Sequence, residues 1–287
     1  MFKTYFLLTV AVFQAIIGFS AWKSLPVAEQ QINISRPVAE TQINTTKEVT
    51  VVDYQKKIAE LGITLHPGTD YTPNSKPTKA SLDHCAALVY GTLKVMPKEV
   101  LVNLKDLTFY FTDSGRRGLG GGSTIILRCQ NVTDEELVSV LVHELGHIMD
   151  TGVLKGNFWT IESDFHDGIF PVYQDDLSLD FYKISWKNEK SIKKDATDLD
   201  FVSGYAKSDP FEDFAETYNY YLLHGDSFRL MAEHNQAISD KYDFMKKNVF
   251  NGKDFNFDSE YKEGLLESRN YDSTVIGYNL EKFLAIS

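Results

Sequence analysis

The chain has 287 residues, 43% hydrophobic and 24% charged, which fits one large globular domain or two small lobes and excludes collagen-like, disordered and multi-spanning membrane classes. Its 29 Lys and Arg against 40 Asp and Glu give a net charge of -11, which repels phosphate backbones, so nucleic acid is not an expected partner. Two cysteines exclude a Cys-rich scaffold and a four-cysteine zinc knuckle, while seven histidines leave enough for a site of His and carboxylates.

Lys3 precedes Tyr5 to Trp22, a stretch without charge, so residues 1–22 read as a cleaved signal peptide or a retained signal anchor. Gly18 and Ser20 have the spacing of a signal-peptidase site, whereas an uncut segment would anchor the chain in a membrane. Either way the remainder lies outside the cytoplasm, where Cys85 and Cys129 can persist as a disulfide; two buried free thiols are the alternative. Residues Pro26–Ser35 return, little changed, as Pro37–Thr46, and with proline in each copy residues 23–47 read as a linker. Asn33, Asn44 and Asn131 open glycosylation sequons, which matter only in a eukaryotic secretory pathway.

The globular pattern occupies residues 48–287: an upper lobe over 48–128, a catalytic core over 129–250 and a C-terminal extension over 251–287. A helix is expected over Val52–Leu61, a turn-rich stretch over His66–Pro73, and a second helix over Ser81–Val95, ended by Pro97. Leu104–Thr112 reads as a strand, Gly115–Gly122 as a flexible turn and Ser123–Arg128 as a second strand. The glycine run is not a phosphate loop, because no Gly-Lys-Ser/Thr follows it and a strand comes next.

The next helix is well marked. Thr133 stands at its N-cap with Glu136 three residues on, Leu137, Leu141, Leu145 and Ile148 recur at helical spacing, and Gly152 is placed to end it in a left-handed cap. On it stands His143-Glu144-Leu145-Gly146-His147. Histidines one turn apart can reach one zinc ion per chain, and Glu144 beside them can take a proton from water. A metzincin is excluded, since Asp150 and Val153 stand where that pattern needs glycine and histidine. The third ligand is sought in a helix that Asp209 and Pro210 start at N-cap and N1, with Glu212 and Glu216 on one face and Asp213 turned away. In the plainer alternative Glu212 only closes a capping box with Asp209 and Glu216 is a surface acid. His166 is the rival third ligand, in a stretch that looks like loops and short irregular pieces.

Together His143-Glu-Leu-Gly-His147-Ile-Met-Asp150 and Tyr205 ahead of Glu212-Asp-Phe-Ala-Glu216 resemble the anthrax lethal factor-like zinc peptidases, which are gluzincins. The resemblance spans roughly residues 120 to 250, including a helix from about Ser227 to Val249. It implies zinc on His143, His147 and Glu212, Glu144 as general base and Tyr205 stabilising the oxyanion. Glu216 would orient a ligand histidine, and Asp150 would do similar work. It implies an α+β zincin-like fold, with a small mixed sheet, the active-site helix and a mainly helical C-terminal lobe. In zincins the strand ahead of that helix is a sheet edge that takes the substrate, which assigns binding to Gly121, Gly122, Ser123 and Thr124. The stretch between His147 and Glu212 is longer than the resemblance leads one to expect and is suited to build cleft walls or lids.

The remaining features read as structural. His224 before Gly225 suits a helix end as a cation, and His66 occupies a turn. Asp254–Ser259 hints at a calcium loop but lacks the required glycine and glutamate, and Phe255 and Phe257 alternate as in a strand. The expected function is an extracytoplasmic zinc endopeptidase acting on a peptide or protein. The alternatives are a cell-wall amidase or peptidase and an inactive surface-binding module on the same fold.

Overall fold

A computed structural model describes residues 52–67, 77–257, 269 and 271–286. The leader, the repeat and the sequons at Asn33 and Asn44 lie outside the described residues, as does most of the His66–Pro73 turn. Among the described residues no helix is long and apolar enough to cross a membrane.

A four-stranded sheet supports the N-terminal part. Its strands are β1 (Thr64–Pro67), β2 (Asp106–Tyr110), β3 (Gly118–Gly121) and β4 (Thr124–Arg128), in the order β1-β2-β4-β3. The first three neighbours run parallel and β3 runs antiparallel to β4, so the sheet is mixed. Alternation puts Leu107 and Phe109 opposite Ile125 and Leu127, all four buried. They pack with Val89 and Leu93 of helix α2 (Lys79–Leu93), which follows helix α1 (Tyr54–Glu60). A disulfide between Cys85 of α2 and Cys129, just past β4, ties this helix to the sheet with Cα atoms 6.0 Å apart.

Two expectations fail here. The glycine run is partly strand, since Gly118–Gly121 pairs along β4 despite glycine's poor strand propensity. β4 is consequently interior, flanked by β2 and β3, and cannot be the substrate edge; among the described residues β3 is the terminal strand.

Helix α4 (Asp134–Ile148) crosses this sheet after a short α3 (Lys98–Asn103), and the Thr133 hydroxyl caps it by accepting from the Glu136 N–H at 3.2 Å. It does not end in a left-handed cap at Gly152. The chain instead widens into a π turn over Met149–Val153, closed by Leu154 N–H to Met149 O at 2.9 Å. Gly152 is required for another reason: a Cβ there would stand 2.4 Å from the Gly122 carbonyl oxygen.

Helix α6 (Pro210–Leu223) packs against α4, and Gly146 sets how closely, because a Cβ on it would lie 2.9 Å from the Cα of Ala215. Asp209 caps α6 as the sequence predicts, accepting from the Phe211 and Glu212 N–H groups at 2.9 Å each. Between the two helices the chain is more regular than expected: a hairpin of β5 (Glu162–Asp167) and β6 (Phe170–Tyr173), then α5 (Ser178–Ser185) and a small hairpin of Trp186–Asn188 with Ser191–Ile192.

The expected helix from Ser227 to Val249 is two, α7 (Gly225–Ala232) and α8 (Gln236–Phe244), because Asn235 accepts from the Ile238 N–H and starts a new helix. Asp213, turned away from the metal side, meets Lys241 of α8 at 2.6 Å and the Trp186 indole at 2.9 Å with both charges fully buried. Burial pushes the Asp213 carboxyl up and pulls the Lys241 ammonium down against their mutual attraction. Phe255 and Phe257 are buried in alternation with exposed neighbours, but they have no strand partner among the described residues. Asp254 accepts from Lys246 at 2.7 Å and Tyr242 at 2.5 Å. The whole is α+β.

Candidate metal centre

His143 and His147 project from α4 one turn apart, and the close α4–α6 crossing brings Glu212 of the first turn of α6 onto both. Glu212 Oε2 lies 3.2 Å from His143 Nε2 and 3.4 Å from His147 Nε2. The N-cap is made by Asp209 alone, which leaves the Glu212 side chain to the histidines rather than to a capping box. Glu212 Oε2 is buried with no hydrogen bond of good geometry and faces both ring nitrogens, so one carboxylate oxygen and two imidazole nitrogens converge on one point. Tetrahedral ligands at about 2.0–2.1 Å from zinc sit roughly 3.3 Å from each other, which the two observed separations match. Burial opposes ionisation of Glu212, yet His143 and His147 outweigh it and hold the carboxyl well below the usual range. The donor set fits zinc.

Glu144 shares the region, with ligand-type atoms of His143, Glu144 and His147 all within 4.8 Å of one another, but its carboxylate turns towards β3. There the Gly120 N–H bonds it, and burial raises its pKa above the ordinary glutamate value. Glycines make this approach possible. A Cβ on Gly118 would fall 2.3 Å from Glu144 Oε1, and one on Gly120 would fall 2.7 Å from the Glu144 carbonyl oxygen. The sequence reading missed both, although glycine at alternate positions is the mark of a strand face with no side chains.

Behind the histidines, Glu216 is fully buried with Oε1 at 2.9 Å from His143 Nδ1, the place expected of an acid that orients a ligand ring. Asp150 does not share that work. Both its oxygens accept from the Tyr182 hydroxyl at 2.7 Å, and burial pushes its carboxyl well above the usual range. Tyr205 stands in a short 3₁₀ turn with its hydroxyl donating to Glu212 Oε1 at 3.0 Å; burial and the Glu212 charge raise its pKa and keep it protonated. His166 lies on β5 opposite Pro171 and does not line the cavity onto which the other groups open. His224 is a core residue rather than a cation at a helix end: it is 1% exposed, burial lowers its pKa to about 3, and its ring packs on Tyr220 and Tyr278.

These groups open into a cavity of about 770 Å³. One wall is β3 with Gly121 and Gly122; Ser123 and Thr124, assigned to the substrate by sequence, do not line it. The facing wall is the β5–β6 hairpin through Asp167 and Phe170–Tyr173, so the stretch between His147 and Glu212 does build a cleft wall. At the hairpin's tip Ile169 and Phe170 are 86% and 68% exposed.

No curated protein and no solved structure matches the chain. Residues 134–265, from the first turn of α4 past α8 and including all three candidate ligands, match the model of a family described as "Putative zinc-binding metallo-peptidase", so this part of the chain is similar to a zinc metallopeptidase.

Proposed function

We propose that the protein is a zinc-dependent endopeptidase of zincin-like fold that works outside the cytoplasm. The observation that carries the reading is the convergence of His143 Nε2, His147 Nε2 and Glu212 Oε2 beside a carboxylate, Glu144, that lies against β3. The uncharged stretch before residue 23 and the Cys85–Cys129 disulfide support the location.

Zinc held by His143, His147 and Glu212 would supply a Lewis acid that polarises a carbonyl and acidifies water. Glu144 Oε1 or Oε2 takes the proton of the attacking water, and burial, by raising its basicity, suits it to that task. Tyr205 turns its hydroxyl from Glu212 to the oxygen on which negative charge develops. The side of β3 that no described strand pairs offers backbone groups to an extended peptide, one strand over from the edge expected from the sequence. The β5–β6 hairpin closes the other side of the peptide.

Zinc content and hydrolysis of a quenched peptide library by the wild type and by Glu144→Gln test the reading. One zinc in both with cleavage by the wild type alone is expected. Zinc in both without cleavage in either leaves a binding module or a cell-wall amidase, and a zinc-free wild type overturns the proposal. Tyr205→Phe should lower kcat about ten- to a thousandfold with zinc content unchanged; an unchanged kcat removes Tyr205 from the mechanism.

A further inference from the structure

Glu216 carries two buried oxygens that must be satisfied where no water reaches. Oε1 faces His143 Nδ1 at 2.9 Å and accepts from the Ser273 hydroxyl at 2.8 Å, while Oε2 accepts from the Ser203 hydroxyl at 2.5 Å and from the Ser273 N–H at 2.7 Å. Two of the four partners come from one residue, Ser273, itself fully buried and beyond the stretch that the family model matches. A carboxylate gripped on both oxygens cannot rotate, and the imidazole bonded to it cannot either.

Ser273 is in turn fixed by its neighbours. Asp272 accepts from the Thr274 N–H at 2.8 Å and starts the short turn Ser273–Val275. Arg117, the residue before β3, pairs with Asp272 and donates to the Thr274 hydroxyl at 2.7 Å and, at 3.4 Å, to Glu136 in the first turn of α4. Burial disfavours the Arg117 cation, while Asp272 and Glu136 favour it. The Tyr271 carbonyl accepts from the Gly204 and Tyr205 N–H groups at 2.9 and 3.3 Å. Residues 271–274 therefore bind α6 through Glu216, the Tyr205 turn through Tyr271, and both β3 and α4 through Arg117.

We propose that Ser273 is a positioning residue of the metal centre: by gripping Glu216 through its N–H and its hydroxyl, it sets the ring of His143 so that Nε2 points at the metal. The segment around it works as a strap that holds together β3, which faces Glu144, the ligand helices and the Tyr205 turn. This inference rests on the zinc-site reading above, and its test separates the two.

The test uses the full chain with zinc affinity measured by competition with a chromogenic chelator, and the visible spectrum of the protein loaded with Co²⁺. Ser273→Ala removes the hydroxyl and leaves the N–H. It should weaken zinc binding about 10- to 100-fold, the range for losing an outer partner of a ligand histidine, and alter the Co²⁺ bands. Phe283→Leu is the control for general loosening, since Phe283 is buried on Phe257 and Tyr278 in the same C-terminal part. It should lower the melting temperature and keep wild-type zinc affinity. Equal zinc affinity in Ser273→Ala and wild type overturns this inference alone, as does an equal loss in Ser273→Ala and Phe283→Leu. A wild type that binds no zinc overturns it together with the proposed function.

Discussion

Under the proposed function, the contact between β3 and Glu144 would allow catalysis to be damaged while the fold and the metal are left in place. An alanine at position 118 would put its Cβ 2.3 Å from Glu144 Oε1 and 2.8 Å from Cδ and Cγ, against the 3.4 Å at which ordinary contact begins. The atoms in the way all belong to the Glu144 side chain and none to backbone, so the carboxylate moves and the backbone stays. The displacement needed is roughly 1 Å, and a misplacement of that size at a reacting group costs on the order of 100-fold in rate. Gly118→Ala should therefore lower kcat about 100-fold with one zinc retained and a melting temperature within about 3 °C of wild type, less than about 1 kcal/mol. Gly120→Ala differs, because its Cβ meets the Glu144 backbone oxygen at 2.7 Å, which only a shift of β3 or α4 can relieve. It should lose both rate and stability. The assay is peptide hydrolysis with zinc content and thermal unfolding measured on the same samples. A Gly118→Ala variant with unchanged kcat would refute Glu144 as the base in this position, and a zinc-free one would refute the separation of base from ligands.

Two further outcomes concern stability. His224 protonates near 6.5 when unfolded but only near about 3 when folded, so between those values the unfolded chain holds more protons. Its contribution is whole above pH 6.5 and is lost as pH falls towards 3, by up to roughly 4–5 kcal/mol. His224→Phe should move the acid-unfolding midpoint to lower pH by circular dichroism; coincident midpoints would contradict a neutral buried ring. Lys241→Met leaves Asp213 buried with its charge uncompensated and should cost about 3–5 kcal/mol in urea unfolding. A loss below about 1 kcal/mol would mean that Asp213 gives up its charge at little expense.

Where local chemistry decides, the sequence was readable. Thr133 and Asp209 cap the helices they were expected to cap, because a side-chain oxygen two or three residues before free N–H groups has few other uses there. The spacing within those helices then aims His143, His147, Glu212 and Glu216 to one side. What stayed hidden is set by neighbours distant in the chain. Gly118–Gly121 carries no strand signal of its own and is a strand because β4 runs beside it. Gly152 looks like a helix stop, but the constraint on it comes from the Gly122 carbonyl. His224 next to a glycine suggests a helix-end cation until Tyr220 and Tyr278 enclose it. Asp150, one turn beyond His147, is claimed by Tyr182, a residue of the intervening stretch that no motif marks. Ser273 belongs with these, since a lone serine carries no pattern and gains meaning only from Glu216.

The order of these parts along the chain bears on biosynthesis. A ribosome releases the N-terminal side first, so His143, His147 and Glu212 all emerge before Tyr271–Thr274. Until that strap arrives, Glu216 lacks two of its four partners and Arg117 lacks Asp272, so the nascent chain carries its candidate ligands without two of the contacts that hold Glu216 against His143. The orientation of His143 through Glu216 is thus completed by residues made after all three candidate ligands.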